Sequence, residues 1–417
     1  MKLTLLLSLF LFQLGFSQQK SCGTDVYLEQ MMSDPVAKQK HLDLQNRFEI
    51  ELSKLQDQQN KSATNTNATI IIPVAVHFPN VAANSPDKAC LIQLAQNQID
   101  ILNVDFNATN ADLALWTQQV QAFYPGTNVG NFNVQFVLAT KNHPAGTGLT
   151  NGQKAITFAT NFLNGTIRDL QWKGYLNIVC KDLGGNNVGS YTGGSPIDGA
   201  PVFITNIAIG SGNGCTGYVP YVVANRGRTL VHELGHYLSL HHNFGKVEGG
   251  NVCLPSNTDE VDDTPQCVGS GGCPAPGSVP GCIAGQKSLT MNYMDYVIDD
   301  CMYMFTAGQV TRMRAYFNTI ASEFATNVLS DQEFKFKDFS LYPNPNNGSF
   351  KISFEPETND KIEIIVLDIS GRNIHNKTFQ NFGMFEQELQ LNAISSGIYF
   401  INIQNGENKM VKRIVVE

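Results

Sequence analysis

Two histidines four residues apart, with a glutamate directly after the first, form the run His232-Glu233-Leu234-Gly235-His236. On a helix of about 3.6 residues per turn these histidines lie one above the other, so both imidazoles can reach a single ion. Glu233 is offset by one position and reaches a water at that ion. Zinc suits such a set: it takes imidazole nitrogen at about 2.0–2.1 Å, and a catalytic site leaves one position open for water. A neighbouring carboxylate then takes a proton as that water attacks a carbonyl. A third protein ligand is needed. His242 joins only if the helix stops after His236; His241 is the neighbouring candidate, and the spacing favours His242. Paired histidines at this spacing also occur as hydrogen-bonded core residues, so the assignment depends on what accompanies them.

The helix that must carry the pair is written in Arg228 to His241, where Leu230, Val231, Leu234, Tyr237 and Leu238 make an apolar stripe. Upstream, Thr69 to His77 reads as a strand and Leu91 to Val104 as a helix packed on a sheet. Asn133 to Ala139, Leu176 to Cys180 and Pro201 to Ile207 read as further strands. Strands interleaved with helices indicate an α/β or α+β domain. From Asn243 to Cys301 the chain is rich in Gly, Pro, Cys and Asp with little periodicity, so disulfides or ions must hold it. A helix is expected again over Thr306 to Phe324. Beyond about residue 335, short alternating runs such as Ser349 to Phe354, Ile362 to Leu367 and Ile398 to Ile403 alternate with turns at Asn344-Pro345-Asn346 and Ser370-Gly371. They predict a separate all-β sandwich. No internal repeat is visible.

At the N-terminus, Met1-Lys2, the apolar stretch Leu3 to Leu14 and Gly15-Phe16-Ser17 before Gln18 predict a secretory signal peptide over 1–17. The apolar run is shorter than the roughly 20 residues that span a bilayer. Residues 18–66 are expected to be a helical pro-segment, with Leu42, Leu44, Phe48, Ile50 and Leu55 at irregular spacing and a polar linker, Ser62 to Asn67, open to processing. The predicted domains are then 67–330, holding the histidines, and 335–417, the β-sandwich. With 417 residues, 42% hydrophobic and 15% charged, the chain can bury a large core. A net charge of -8 and a pI near 5.5 speak against nucleic acid or an anionic membrane as partner. Nine cysteines in an exported chain predict disulfides. All but Cys22 lie between residues 90 and 301, and spacing alone leaves their pairing open.

Three motifs in order resemble the pappalysin (cytophagalysin) family of metzincins, over about residues 69–325. They are Gly227-Arg228-Thr229-Leu230-Val231-His232-Glu233-Leu234-Gly235-His236-Tyr237-Leu238, Asp259-Glu260-Val261-Asp262-Asp263-Thr264-Pro265, and Asn292-Tyr293-Met294-Asp295-Tyr296 with Asp299-Asp300-Cys301-Met302. The resemblance implies a metzincin-type catalytic domain. Its upper part would have a twisted mixed sheet, a backing helix and the zinc helix, and its lower part would be irregular and disulfide-stapled. A protein or peptide substrate would lie extended along a sheet edge between them. It implies a zinc-dependent metalloendopeptidase made as a zymogen, with His232, His236 and His242 on zinc and Glu233 as general base. Met294 would be the Met-turn residue beneath the metal, and the Tyr296 phenol would hydrogen-bond the oxyanion. Where the family has glycine this chain has Ser239. A left-handed Ser239 costs about 1–2 kcal/mol, small beside the roughly 10 kcal/mol or more of a zinc site.

By the same resemblance, calcium binds at Asp259 and Thr264, with Asp263 as a further candidate. Asp300, or alternatively Asp299, would lie at the base of the pocket for the residue after the scissile bond and favour Arg or Lys there. Disulfides would join Cys253 to Cys282 and Cys273 to Cys301, with Cys267 extra to the pattern. Cys22-Gly23-Thr24-Asp25 is similar to the family's start and implies latency by a Cys22 thiolate on the zinc, or alternatively by the Asp25 carboxylate. The arginine that precedes this cysteine in the family is absent, since Lys20 and Ser21 stand there.

Leu341-Tyr342-Pro343-Asn344-Pro345-Asn346-Asn347-Gly348, Val366 to Arg372 and Ser396-Gly397-Ile398-Tyr399 resemble the C-terminal sorting domain of type IX secretion cargo. That implies passage through the periplasm, recognition by the type IX machinery, and a final place outside the cell or on its surface. The chain is expected to be a monomer. Two other readings stand beside this one. In a gluzincin-like peptidase Glu260 would replace His242 as third ligand. In a catalytically silent adhesion protein the β-domain would serve attachment, against which the intact Glu233 speaks.

Overall fold

The computed structural model describes all residues except 1–20, 61–68, 160–167, 185–186, 192, 247–252, 330–335, 357, 369–371, 382, 392–393 and 407. The expected signal peptide and processing linker lie outside the described residues. The chain divides into two units, residues 1–330 and 331–417. The first opens with a two-residue strand, β1 (Ser21–Cys22), and the helices α1 (Thr24–Ser33) and α2 (Pro35–Asn60). Asp34 starts α2: its carboxylate accepts the Val36 and Ala37 N–H groups at 2.8 Å, and Pro35 takes the first position, where an N–H has no helical partner. The irregular apolar pattern resolves into one row, because Leu44, Phe48 and Leu52 are buried while Leu42 and Ile50 face solvent.

Next come β2 (Ile70–Phe78), α3 (Lys88–Phe106), β3 (Val134–Leu138), β4 (Ile156–Phe158), β5 (Leu176–Cys180), β6 (Asn187–Tyr191) and β7 (Pro201–Ile204). They form a mixed sheet in the order β1-β6-β7-β5-β2-β3, with β4 paired to the far end of β2. Every pairing is parallel except β6 with β7. Strands β5 and β7 are buried throughout, as expected of parallel strands covered on both faces. Helix α3 lays Leu91, Leu94, Ala95, Ile99 and Leu102 into the core beside them. The strand β6 escapes the sequence reading because Asn-Val-Gly-Ser-Tyr lacks an apolar alternation; pairing with β7 makes it a strand.

Helix α4 (Arg228–Tyr237) is buried along its whole length. It ends before the apolar stripe does, because Ser239 takes a left-handed conformation at φ 72°. The chain then runs without long regular elements to α5 (Ala307–Ile320), whose start is closed by a capping box between Thr306 and Gln309. Disulfides Cys253–Cys282 and Cys273–Cys301 staple this irregular part, and Cys90–Cys215 ties the start of α3 to the loop after β7. Cys267 stays a buried free thiol.

The second unit is all β: β8 (Lys337–Tyr342), β9 (Ser349–Glu355), β10 (Ile362–Asp368), β11 (Asn373–Phe379), β12 (Phe385–Gln390), β13 (Gly397–Asn405) and β14 (Asn408–Val416). Two antiparallel sheets, β11-β10-β13-β14 and β12-β9-β8, enclose a core that includes Phe350, Ile352, Ile364, Val366, Ile401 and Ile414. The alternation along β9 and β10 places these side chains on one face of each strand.

Candidate active site

Helix α4 carries His232 and His236 one turn apart, and the left-handed Ser239 returns the chain so that His242 meets them. The Nε2 atoms of His232 and His242 each lie 3.1 Å from Nε2 of His236. Three ring nitrogens converge on one point, and two of the rings are held by bonds at their other nitrogen. His232 Nδ1 donates to the Tyr293 carbonyl at 2.7 Å and His236 Nδ1 to the Leu240 carbonyl at 2.9 Å, so the Nε2 lone pairs face the centre. Burial, then the neighbouring imidazoles, hold His236 and His242 well below the ordinary histidine range, hence neutral. Neutral, converging imidazoles with anchored far nitrogens are the donor set zinc takes, and the residues fit it.

Cys22 completes the group: one ligand atom from each of Cys22, His232, His236 and His242 lies within 4.8 Å of the others. Its thiol lies 3.4 Å from Glu233 Oε2, which also accepts the Thr24 hydroxyl at 3.2 Å. Burial, with the Glu233 charge as second cause, pushes this thiol well above its usual value when no cation is beside it. Cys22 reaches the site because β1 pairs with the edge strand β6, Cys22 opposite Gly189. Asp25 falls in the first turn of α1, and its side chain lies outside the described set.

Beneath the histidines, Met294 is fully buried, and a Cβ on Gly235 would strike its sulfur. Gly235 thus lets Met294 approach the helix that carries the histidines. Tyr296 packs edge-on to His242 at 4.7 Å between ring centroids, Phe244 stacks on His242 at 4.7 Å, and the Phe244 and Tyr296 rings meet each other at 5.0 Å. His241 instead points to Glu260 at 3.6 Å. Glu260 also pairs with Lys246 and, at 3.0 Å, with Arg312, away from the imidazoles. His242, not His241 or Glu260, therefore joins the cluster.

Asp259 and Thr264 come together, the Thr264 hydroxyl 2.8 and 2.7 Å from the two carboxylate oxygens. Burial pushes the Asp259 carboxyl up to about 7. The Asp263 carboxylate turns to the start of α5, accepting the Thr306 hydroxyl at 2.6 Å and the Gly308 N–H at 3.0 Å. Asp299 is fully buried and accepts the backbone N–H groups of Arg226 and Arg228 at 3.0 and 3.1 Å, so it caps α4. Asp300 is half exposed and pairs with Arg226 at 2.5 Å. A small cavity beside His232 and Glu233 is walled by Val188, Thr229, Val297 and Met302.

Sequence reasoning missed the supports of the site. Arg228, 5% exposed, donates to Asp105 at 3.1 Å and to Asp112 at 2.5 and 2.9 Å, locking the start of α4 to α3. Arg312 Nε donates to the Ser239 carbonyl at 2.8 Å, holding the turn that delivers His242. Neither arginine stands in a spacing pattern that would single it out.

A family profile described as Pregnancy-associated plasma protein-A matches residues 209–318, and one described as Secretion system C-terminal sorting domain matches residues 340–417. An extracellular metalloprotease of Neurospora crassa is 30% identical over 243 residues, 54% of this chain and 78% of that protein. One of Sordaria macrospora is 44% identical over 95 residues, covering 22% of this chain and 31% of that protein. Among solved structures, mature mirolysin of Tannerella forsythia in complex with a cleaved peptide is 33% identical with a TM-score of 0.50, covering 63% of this chain and 97% of that one. A promirolysin mutant from the same organism is 29% identical with a TM-score of 0.52, covering 72% and 94%. The chain belongs to the pappalysin family of metallopeptidases. It is a secreted metalloendopeptidase whose last residues form a sorting domain for export.

Proposed function

We propose that His232, His236 and His242 hold one zinc ion and that Glu233 is the general base and acid of peptide hydrolysis. The observation that carries this reading is the convergence of three imidazole Nε2 atoms, with the far nitrogens of His232 and His236 tied to backbone carbonyls. Zinc bound there supplies the Lewis acidity that polarises the scissile carbonyl and acidifies a water. The Glu233 carboxylate takes the proton of the attacking water and passes it to the leaving amine nitrogen. The Tyr296 phenol donates to the developing oxyanion, for which its place beside His242 is suited. Substrate adds as a strand to the edge of β6, where β1 lies in the latent chain.

Latency in this reading comes from Cys22, whose sulfur occupies the position water needs and whose neighbour Thr24 also engages Glu233. Residues 18–66 are then the pro-segment and 67–330 the catalytic domain. Asp259 and Thr264 form a calcium site that a hard cation would neutralise, while the Asp263 carboxylate is taken up by the start of α5. Asp300 supplies the charge for an Arg or Lys preference after the scissile bond. The test is Glu233→Gln in the processed protein: stoichiometric zinc is retained by elemental analysis while peptide cleavage falls by at least about 10³-fold. Undiminished cleavage would overturn the role.

A further inference from the structure

We infer that the face formed by α5 and the turn after α4 is a binding site for the pro-segment helix α2, strong enough that a pro-segment cut from the chain stays docked and the peptidase stays latent. This rests on the reading that Cys22 blocks the metal site, and it divides the pro-segment into two working parts.

The first part is adhesive. Leu44, Phe48 and Leu52 are 7%, 0% and 7% exposed and belong to the same continuous core as the sheet, α4 and α5. Phe48 is the anchor: its ring meets Tyr316 edge-on at 5.7 Å and lies 4.8 Å from the Arg312 guanidinium. That guanidinium is 4% exposed and also holds the Ser239 carbonyl and Glu260. The aromatic ring of the pro-segment therefore closes over the group that fixes the turn to His242. Further along, the Glu51 carboxylate accepts from Asn318 at 3.0 Å. Cavities of about 250 and 410 Å³ flank the row, and Leu55 continues it by packing on the same core.

The second part is inhibitory and small. Among the described residues, Ser21 and Cys22 pair with β6, followed by a bond from the Gly23 N–H to the Gly189 carbonyl at 3.0 Å and one from the Tyr191 N–H to the Thr24 hydroxyl at 2.9 Å. So short a strand has little affinity of its own; α2 supplies the local concentration that keeps Cys22 in place. Cutting the chain between α2 and β2 removes the tether but none of these contacts.

The experiment replaces residues 61–68 with the target of a site-specific protease, cuts the purified full chain, and follows it by gel filtration and by hydrolysis of a fluorogenic peptide. The cut pro-segment is expected to co-elute with the rest of the chain, and hydrolysis is expected only after the pro-segment is digested away. In trans, a peptide of residues 35–60 should bind the processed enzyme, and its Phe48→Ala version should bind about 100-fold more weakly. This second arm does not depend on a Phe48 variant of the whole chain folding. Separation of the cut wild-type pro-segment at micromolar protein, or equal binding of the two peptides, would overturn the proposal. Co-elution with full hydrolysis would leave docking standing and refute the assignment of latency to Cys22.

Discussion

Gly189 sits where the edge strand passes the Glu233 carboxylate. A Cβ at that position would lie 2.6 to 2.9 Å from Glu233 Cγ, Oε1 and Cδ, well inside normal contact. The glycine lets the edge strand β6, proposed above to receive a substrate, approach the proposed base directly. Gly189→Ala is expected to lower kcat/KM about 100-fold by displacing the carboxylate, with little change in melting temperature. An unaltered kcat/KM would mean that Glu233 has room to move aside. Gly235 plays the matching part beneath the histidine cluster, where an added Cβ would lie well inside normal contact with the Met294 sulfur. At this scale the chemistry depends as much on absent side chains as on the imidazoles.

Helix α4 does its work by stopping. The Leu238 N–H bonds to Leu234 and Gly235, the Leu240 N–H returns to the Gly235 carbonyl at 2.9 Å, and Ser239 between them is left-handed. Serine carries a steric penalty there that glycine does not, and the Arg312 bond to its carbonyl holds it in place. Ser239→Gly is therefore expected to stabilise the protein by about 1 kcal/mol in urea unfolding, with zinc content unchanged. A loss of stability would show that the serine contributes more than its backbone position. The other end of α4 is set by Asp299 on two N–H groups and by Arg228 on Asp105 and Asp112. Both ends are thus held by residues from outside the helix.

Over the whole molecule the two units have separate cores. Removing 331–417 should leave kcat/KM on small peptides within about twofold while abolishing export, since each core closes within its own unit. A truncated chain that fails to fold would contradict this. The pro-segment adds a pH response. His41 lies in the cavity bordered by Lys40, Asp43, Arg47, Arg168, Asp198 and Glu323. Burial first, and Arg168 second, lower its pKa below the ordinary 6.5. A depressed folded-state value means that its contribution to docking is present above about pH 6.5 and lost as pH falls through the lowered value. Docking of a cut pro-segment should accordingly weaken severalfold between pH 7.5 and 5.5, and His41→Gln should flatten the dependence. The peptide of residues 35–60, which lacks Cys22 and Thr24, should show the same dependence. An equally steep profile in the His41 variant would place the response elsewhere.

Periodicity is a local property, and what depended on it was legible in the chain alone. His232 and His236 share a helical face because they are four residues apart, and β2, α3, β5 and the sandwich strands β9, β10 and β13 announce themselves by their apolar spacing. The resemblance carried by three separated motifs extended this to the family, and that of Leu341 to Gly348, Val366 to Arg372 and Ser396 to Tyr399 to the sorting domain. What remained hidden were contacts between residues distant in sequence. No pattern distinguishes Asp299, which caps α4, from Asp300, which meets Arg226 at the surface. None shows that Asn187–Tyr191 is a strand, that Gly189 faces Glu233, or that Phe48 of the pro-segment lies against Arg312. These depend on where the sheet edge, the irregular loops and α5 converge, and that convergence is set by burial and hydrogen bonding across the whole unit.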